Sequence, residues 1–236
     1  MIREAAEKTL ARFGLRLIHR RWAPKGTDRN LYTRLLSGEE PRQFTIFDVG
    51  ANVGQTARAF HRQFPFARIH SFEPVSSTFQ KLERSTAPIR EISTWNFGFS
   101  NKGGEETVLL ADDSQENRII QPTSEEDHQN TTSISVSTID DFVTKQNIER
   151  IDILKLDTEG HEIEVLQGAR ASLSGNMVQA ILVESSLPEL SEEHISLASL
   201  NSILEPFGFQ LFGMYDFGFR PSGRLTFFNA LYFKAQ

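Results

Sequence analysis

From Gln43 onward, short apolar runs alternate with segments whose apolar residues recur at helical spacing. Phe44 to Asp48 reads as a strand, and Val53, Ala57, Phe60 and Phe64 then mark a helix. Ala67 to Phe72 is a second strand, Ser76 to Arg84 a second helix and Ile92 to Phe97 a third strand. Ile151 to Leu156 and Val178 to Val183 are continuous apolar runs of the kind buried on both faces of a sheet. Between them Ile163, Leu166 and Leu173 predict one helix that stops at Ser174-Gly175. Ser191 is placed to cap a helix carrying Leu197, Leu200, Ile203 and Leu204, ended by Pro206 and Gly208. Phe209 to Tyr215 and Leu225 to Lys234 are the last strands.

This alternation predicts an α/β fold of βαβ units, a parallel sheet with helices on both faces. No helix fits between Tyr215 and Leu225, so the last two strands are expected to be antiparallel neighbours. One stretch breaks the rhythm. Residues 111–132 hold six acids and only Ile119 and Ile120 as aliphatics, between strands expected at Thr107 to Leu110 and Ser133 to Val136. A long excursion in such a place is either a lid over substrate or a solvated loop.

Charge divides the chain further. Residues 1–42 carry ten Lys/Arg against five Asp/Glu, whereas the whole 236-residue chain has a net charge of −6. Ile2, Ala6, Leu10, Phe13 and Leu17 make the opening segment a basic amphipathic helix, an extension preceding a main domain at 43–236. It packs on that domain, or meets an acidic partner or a membrane surface. The acidic balance argues against a nucleic-acid binder. Cysteine is absent, which removes disulfides and thiol chemistry and fits the cytoplasm. No apolar run approaches the roughly 20 residues of a spanning helix. Arg3, Lys8 and Arg12 are followed by no apolar core, so no secretory signal is expected. Oligomeric state is not legible.

Three segments carry chemistry. Asp48-Val-Gly-Ala-Asn-Val-Gly54 closes the first strand, and its glycines let backbone N–H groups approach a ligand at the positive end of the next helix. Only Gly50 and Gly54 are present where the dinucleotide fingerprint needs three glycines. Glu73, at the end of the second strand, falls where an acid accepts hydrogen bonds from ribose hydroxyls. A carboxylate-binding turn beside a ribose-binding acid describes S-adenosylmethionine. Leu154-Lys-Leu-Asp-Thr-Glu-Gly-His-Glu162 then brings Asp157, Glu159, His161 and Glu162 to the carboxyl edge of the sheet, where ligands of open α/β folds bind. A carboxylate such as Glu162 in a first helical turn also serves as a cap.

In their order and spacing, DVGANVG, FEP, Thr138-Ile-Asp-Asp-Phe142, LKLDTEGHE and Glu184 resemble the FkbM-type methyltransferases over about Phe44 to Lys234. The resemblance implies a class I, Rossmann-like, doubly wound sheet, mostly parallel, with its last strand inserted antiparallel. It implies S-adenosylmethionine as cofactor and O-methylation of a sugar, glycolipid or polyketide-type hydroxyl, the acceptor being a small molecule or glycan. Carried over, it places Asp48, Gly50, Asn52, Gly54 and Glu73 on the cofactor, Asn96 near the adenine, and Asp157 and Glu159 near the methyl group and acceptor. Asn229 stands where an acid is expected in the last strand. For the base, His161 comes first because its unperturbed pKa near 6.5 leaves it partly free at neutral pH. Glu159 or Glu184, raised by burial, comes second. No metal is assigned, although oxygens of Asp157, Glu159 and Glu184 would suit a hard divalent ion. An NAD-type oxidoreductase and a non-catalytic carbohydrate- or lipid-binding module are the alternatives. Phe212, Phe217, Phe219, Phe227 and Phe228 are read as core, or as an acceptor-stacking wall.

Overall fold

The computed structural model describes residues 44–111, 114, 117–120, 130–187 and 194–235. The basic extension, Ser191 and much of the acidic excursion lie outside them. The strands are β1 (Thr45–Val49), β2 (Arg68–Phe72), β3 (Ile92–Trp95), β4 (Gly98–Phe99), β5 (Gly104–Leu109), β6 (Arg118–Ile120), β7 (Thr131–Ser137), β8 (Ile151–Leu156), β9 (Val178–Ser185), β10 (Phe209–Phe219) and β11 (Leu225–Lys234). The helices are α1 (Gln55–Gln63), α2 (Ser76–Thr86), α3 (Ile139–Lys145), α4 (Glu162–Gln167), α5 (Arg170–Ser174) and α6 (Leu197–Leu204).

Seven strands form the main sheet in the order β10-β11-β9-β8-β1-β2-β3. β1, β2, β3, β8 and β9 pair in parallel, and β11 is antiparallel to both β9 and β10. The expected hairpin is therefore present, with its last strand wedged inside the sheet. The chain leaves β1 towards β3, then resumes at β8 on β1's other side. That reversal opens a crevice at the carboxyl ends of β1 and β8.

One face of the sheet presents Phe47, Val49, Leu154, Leu156, Ile181, Val183 and Phe228 to a continuous buried core. An aromatic cluster anchors it: the Phe72 ring lies 4.5 Å from Phe99 and 5.0 Å from Phe142, the latter at 87°. Each such pair contributes about 0.5–1.5 kcal/mol beyond the area it buries. Thr138 caps α3 by accepting from the Asp141 amide at 3.0 Å. Asp140 accepts from the Ala171 and Ser172 amides at 2.8 and 2.9 Å, fastening α3 to α5.

Several expectations need correction. The single helix read between Glu162 and Ser174 is two, α4 and α5. A Cβ on Gly168 would lie 2.1 Å from the Ser100 carbonyl oxygen, so the backbone after β4 presses into the break. Ser196, not Ser191, caps α6, accepting from the Ser199 amide at 3.1 Å. β3 ends at Trp95 rather than Phe97, and β4 starts a second sheet, β4-β7-β5-β6, that the pattern did not foresee. Of the C-terminal phenylalanines, Phe228 is core, but Phe212, Phe217 and Phe219 are 44%, 47% and 62% exposed. β8 is buried throughout yet not wholly apolar: it carries Asp152, which accepts from Arg150 Nε at 2.8 Å, and Lys155.

Candidate functional site

A cavity opens at the carboxyl edge beside the β1/β8 crevice. Gly50, Asn52 and Gln55 line it after β1, Glu73, Pro74 and Val75 after β2, and Asp157, Thr158, Glu159 and His161 after β8. Phe72, Gly98, Phe99, Val108 and Ile119 add an apolar region.

The glycine turn is held by the neighbouring strand: the Gly50 and Ala51 amides donate to the Phe72 carbonyl at 3.1 and 2.9 Å. Gly50 has φ 76°, and a Cβ there would lie 1.8 Å from the Asp157 carbonyl oxygen. The Asp157 amide donates to the Val49 carbonyl at 3.1 Å, so the turns after β1 and β8 are pressed together. Gly54 does not line the cavity; it is the N-cap residue of α1, which has no side-chain cap. The Ala57 amide of the first turn faces Asp48, while Gln55 at the start of α1 lines the cavity and presents the helix's positive end to a ligand.

Glu73 is buried, and its two carboxylate oxygens accept from the Asn52 amide at 3.1 Å and the Val75 amide at 2.9 Å. Burial pushes its pKa up to about 7, the two amides pulling against it. Asn96 lies outside the cavity lining; its amide donates to the Glu73 and Pro74 carbonyls at 2.9 and 3.0 Å and so steadies the turn carrying the acid. Asp48 is fully buried and also off the cavity wall. Burial raises its pKa to about 6, with Lys155 pulling it back.

Asp157 accepts from the Lys155 ammonium at 2.7 Å. Burial alone would raise its pKa, but Lys155 and a hydrogen bond from Glu184 hold it below the usual value. Glu184, at the end of β9 and outside the lining set, is pushed well up by burial, by the bond to Asp157 and by the charges of Asp157 and Glu159. One oxygen each of Asp157, Glu159 and Glu184 lie within 4.8 Å of one another. A shared proton or a cation would relieve such crowding. Asn229 is the register partner of Glu184, and its amide donates to Asp216 Oδ2 at 3.4 Å. Asp216, on β10, is exposed and outside the cavity lining.

His161 opens α4 with Nε2 2.9 Å from Ser100 Oγ and Nδ1 3.6 Å from Glu164 Oε2. The carboxylate at Nδ1 favours a proton there, which leaves Nε2 to accept from Ser100. Glu162 is structural: Oε1 accepts from the Thr158 amide and hydroxyl, both at 2.9 Å, and so shapes the loop that holds Glu159 at φ 51°. Described parts of the acidic excursion reach the cavity. Asn117 and Ile119 line it, and Ser114 Oγ donates to Asn52 Oδ1 at 2.9 Å. The residues that sequence reasoning missed are Lys155 and Ser100. A lysine inside a mostly apolar buried run was the available signal for the first, and nothing local marked the second.

The reversed strand in the main sheet and the ligand crevice at β1 and β8 define a class I, Rossmann-like methyltransferase. A family model described as the methyltransferase FkbM domain matches residues 48–211, and the chain belongs to that family; it is a methyltransferase. It is 24% identical over 190 residues to 2-O-methyltransferase NoeI of Sinorhizobium fredii, covering 75% of this chain and 77% of that one. It is 29% identical over 154 residues to hexuronic acid methyltransferase AglP of Haloferax volcanii, covering 64% of this chain and 59% of that one. Among solved structures, methyltransferase FkbM from Methylobacillus flagellatus superposes with a TM-score of 0.54 at 21% identity, over 89% of this chain and 48% of that one, and shares the fold.

Proposed function

We propose that the protein uses S-adenosylmethionine to methylate a hydroxyl group of a sugar or glycan. The observation that carries this reading is the convergence on one cavity of the Gly50 turn, buried Glu73 and the Asp157–His161 loop. The cavity suits the cofactor on its own chemistry. Gly50 leaves no room for a side chain because the Asp157 carbonyl fills that space, which sets the turns after β1 and β8 side by side at the cavity for an amino-acid tail. Glu73 keeps lone pairs free for a ribose diol beyond the two amides it accepts from. Val75, Phe99, Val108 and Ile119 offer apolar surface to a purine. The relatives named as a hexuronic acid methyltransferase and a 2-O-methyltransferase support the acceptor class.

The cofactor, when bound, supplies an electrophilic methyl group on a sulfonium. This chain's residues must then hold the acceptor hydroxyl in line and take its proton. His161 is the base: Glu164 orients its ring, and Nε2 exchanges the Ser100 hydroxyl for the acceptor's. A base in this position contributes roughly 10²–10⁴-fold. Glu159 and Glu184 stand behind it, the acids nearest Asp157. Ser114, Asn117 and Ile119 add to the wall of this cavity, Ser114 by its bond to Asn52. The test is calorimetric titration with S-adenosylhomocysteine, followed by a search for single-methyl mass gain across hydroxylated sugars. Saturable binding with methylation of a sugar hydroxyl is expected. Binding with methylation only of nitrogen or carbon acceptors would overturn the acceptor assignment.

A further inference from the structure

Lys155 has no part in the mechanism above, yet it is the buried cation at the centre of the acids. It sits one residue before the end of β8, in register with Asp48 on β1. Its ammonium donates to Asp157 Oδ2 at 2.7 Å and lies 3.8 Å from Asp48 Oδ1. Among the described residues Lys155 is the cation facing Asp48, and the Ala57 amide of α1 is the backbone donor turned towards it. A buried ammonium is retained only with close counter-charges, and here both come from strands bordering the cofactor crevice.

The two acids differ in what else they face. Asp48 is sealed beneath the site, whereas Asp157 is partly exposed and lines the cavity. Lys155 with Asp48 is thus a nearly neutral pair seen from a distance, while at 2.7 Å the ammonium governs where the Asp157 carboxylate points. Resting on the cofactor reading above, we propose that Lys155 is a positioning residue: it aims the Asp157 carboxylate at the cationic centre of the bound cofactor. Glu184 holds Asp157 by a hydrogen bond on one side and Glu159 crowds it, so the Lys155 ammonium is the charged donor that fixes the carboxylate on its inner side. The arrangement gives the site a preference for a ligand charged at the sulfur position over the neutral product, which aids product release.

The test needs no acceptor. S-adenosylhomocysteine is neutral at sulfur, and sinefungin carries an amine close to that position, so the ratio of their affinities reads the carboxylate's effect. Lys155→Met alone would strand Asp48 as an unpaired buried acid, so the informative variant is Asp48→Asn/Lys155→Met, which removes a neutral pair. Circular dichroism and thermal melting establish that it is folded. Wild type is expected to favour sinefungin by roughly tenfold, the scale of one hydrogen bond to a charged group. The double variant is expected to lose that preference while keeping its S-adenosylhomocysteine affinity within about threefold. Adding Asp157→Asn is expected to lower the ratio no further, because Lys155 acts through Asp157. A folded double variant that retains the wild-type ratio overturns the proposal, as does a wild type that binds both ligands equally. Wild type that binds neither ligand refutes the cofactor reading itself, a distinguishable outcome.

Discussion

Glu73 links the stability of the fold to the function of the site through one proton. Its pKa is raised by burial from 4.5 to about 7. Between those values the folded state holds a proton that the unfolded state releases, so stability is greatest below pH 4.5 and falls as pH rises through 7. A rise of this size corresponds to about 3 kcal/mol, most of which falls between pH 5 and pH 8. Glu73→Gln removes the titration. It also turns one of the two side-chain oxygens that accept from the Asn52 and Val75 amides into a donor facing an amide, at a cost of about 1–3 kcal/mol that does not vary with pH. Urea unfolding of both proteins at pH 5 and pH 8 separates the two effects. The variant should be the less stable at pH 5 and recover by about 2–3 kcal/mol relative to wild type at pH 8. Wild-type affinity for S-adenosylhomocysteine should rise over the same interval, because the ionised carboxylate is the better acceptor for a diol, and the variant's should stay flat. Parallel stability profiles for the two proteins would refute the reasoning.

Two further outcomes follow from the same geometry. Gly50→Ala puts a methyl group against the Asp157 carbonyl at a left-handed φ, and it should lower unfolding stability by about 2–5 kcal/mol and abolish S-adenosylhomocysteine binding by calorimetry. His161→Ala should cut kcat by roughly 10²-fold or more while cofactor affinity changes less than about threefold, and near-normal turnover would remove His161 as the base.

The main sheet was legible because its central strands are buried on both faces, where a run such as Ala-Ile-Leu-Val admits few other readings. The reversed last strand followed from the short link between Tyr215 and Leu225. The second sheet was harder. β4 is two residues and β6 three, too short to show a period of two, and β5 begins with exposed Gly104 and Glu105. Gly50, Asn52, Glu73, Asp157, Glu159 and His161 do share the cavity they were expected to share. Asp48 and Asn96 do not, because strand register turns one into the sheet and the other is held by the β2 turn. Spacing along a chain marks the end of a strand, but not which side of it faces the ligand.

The account rests on one small molecule fitting one crevice. Isothermal calorimetry of wild-type protein with S-adenosylhomocysteine, with Gly50→Ala alongside, tests it most directly. Saturable one-to-one binding to wild type and none to the variant is the predicted result. An absence of heat and of any melting-temperature shift in the wild type, or equal binding by both, would contradict it.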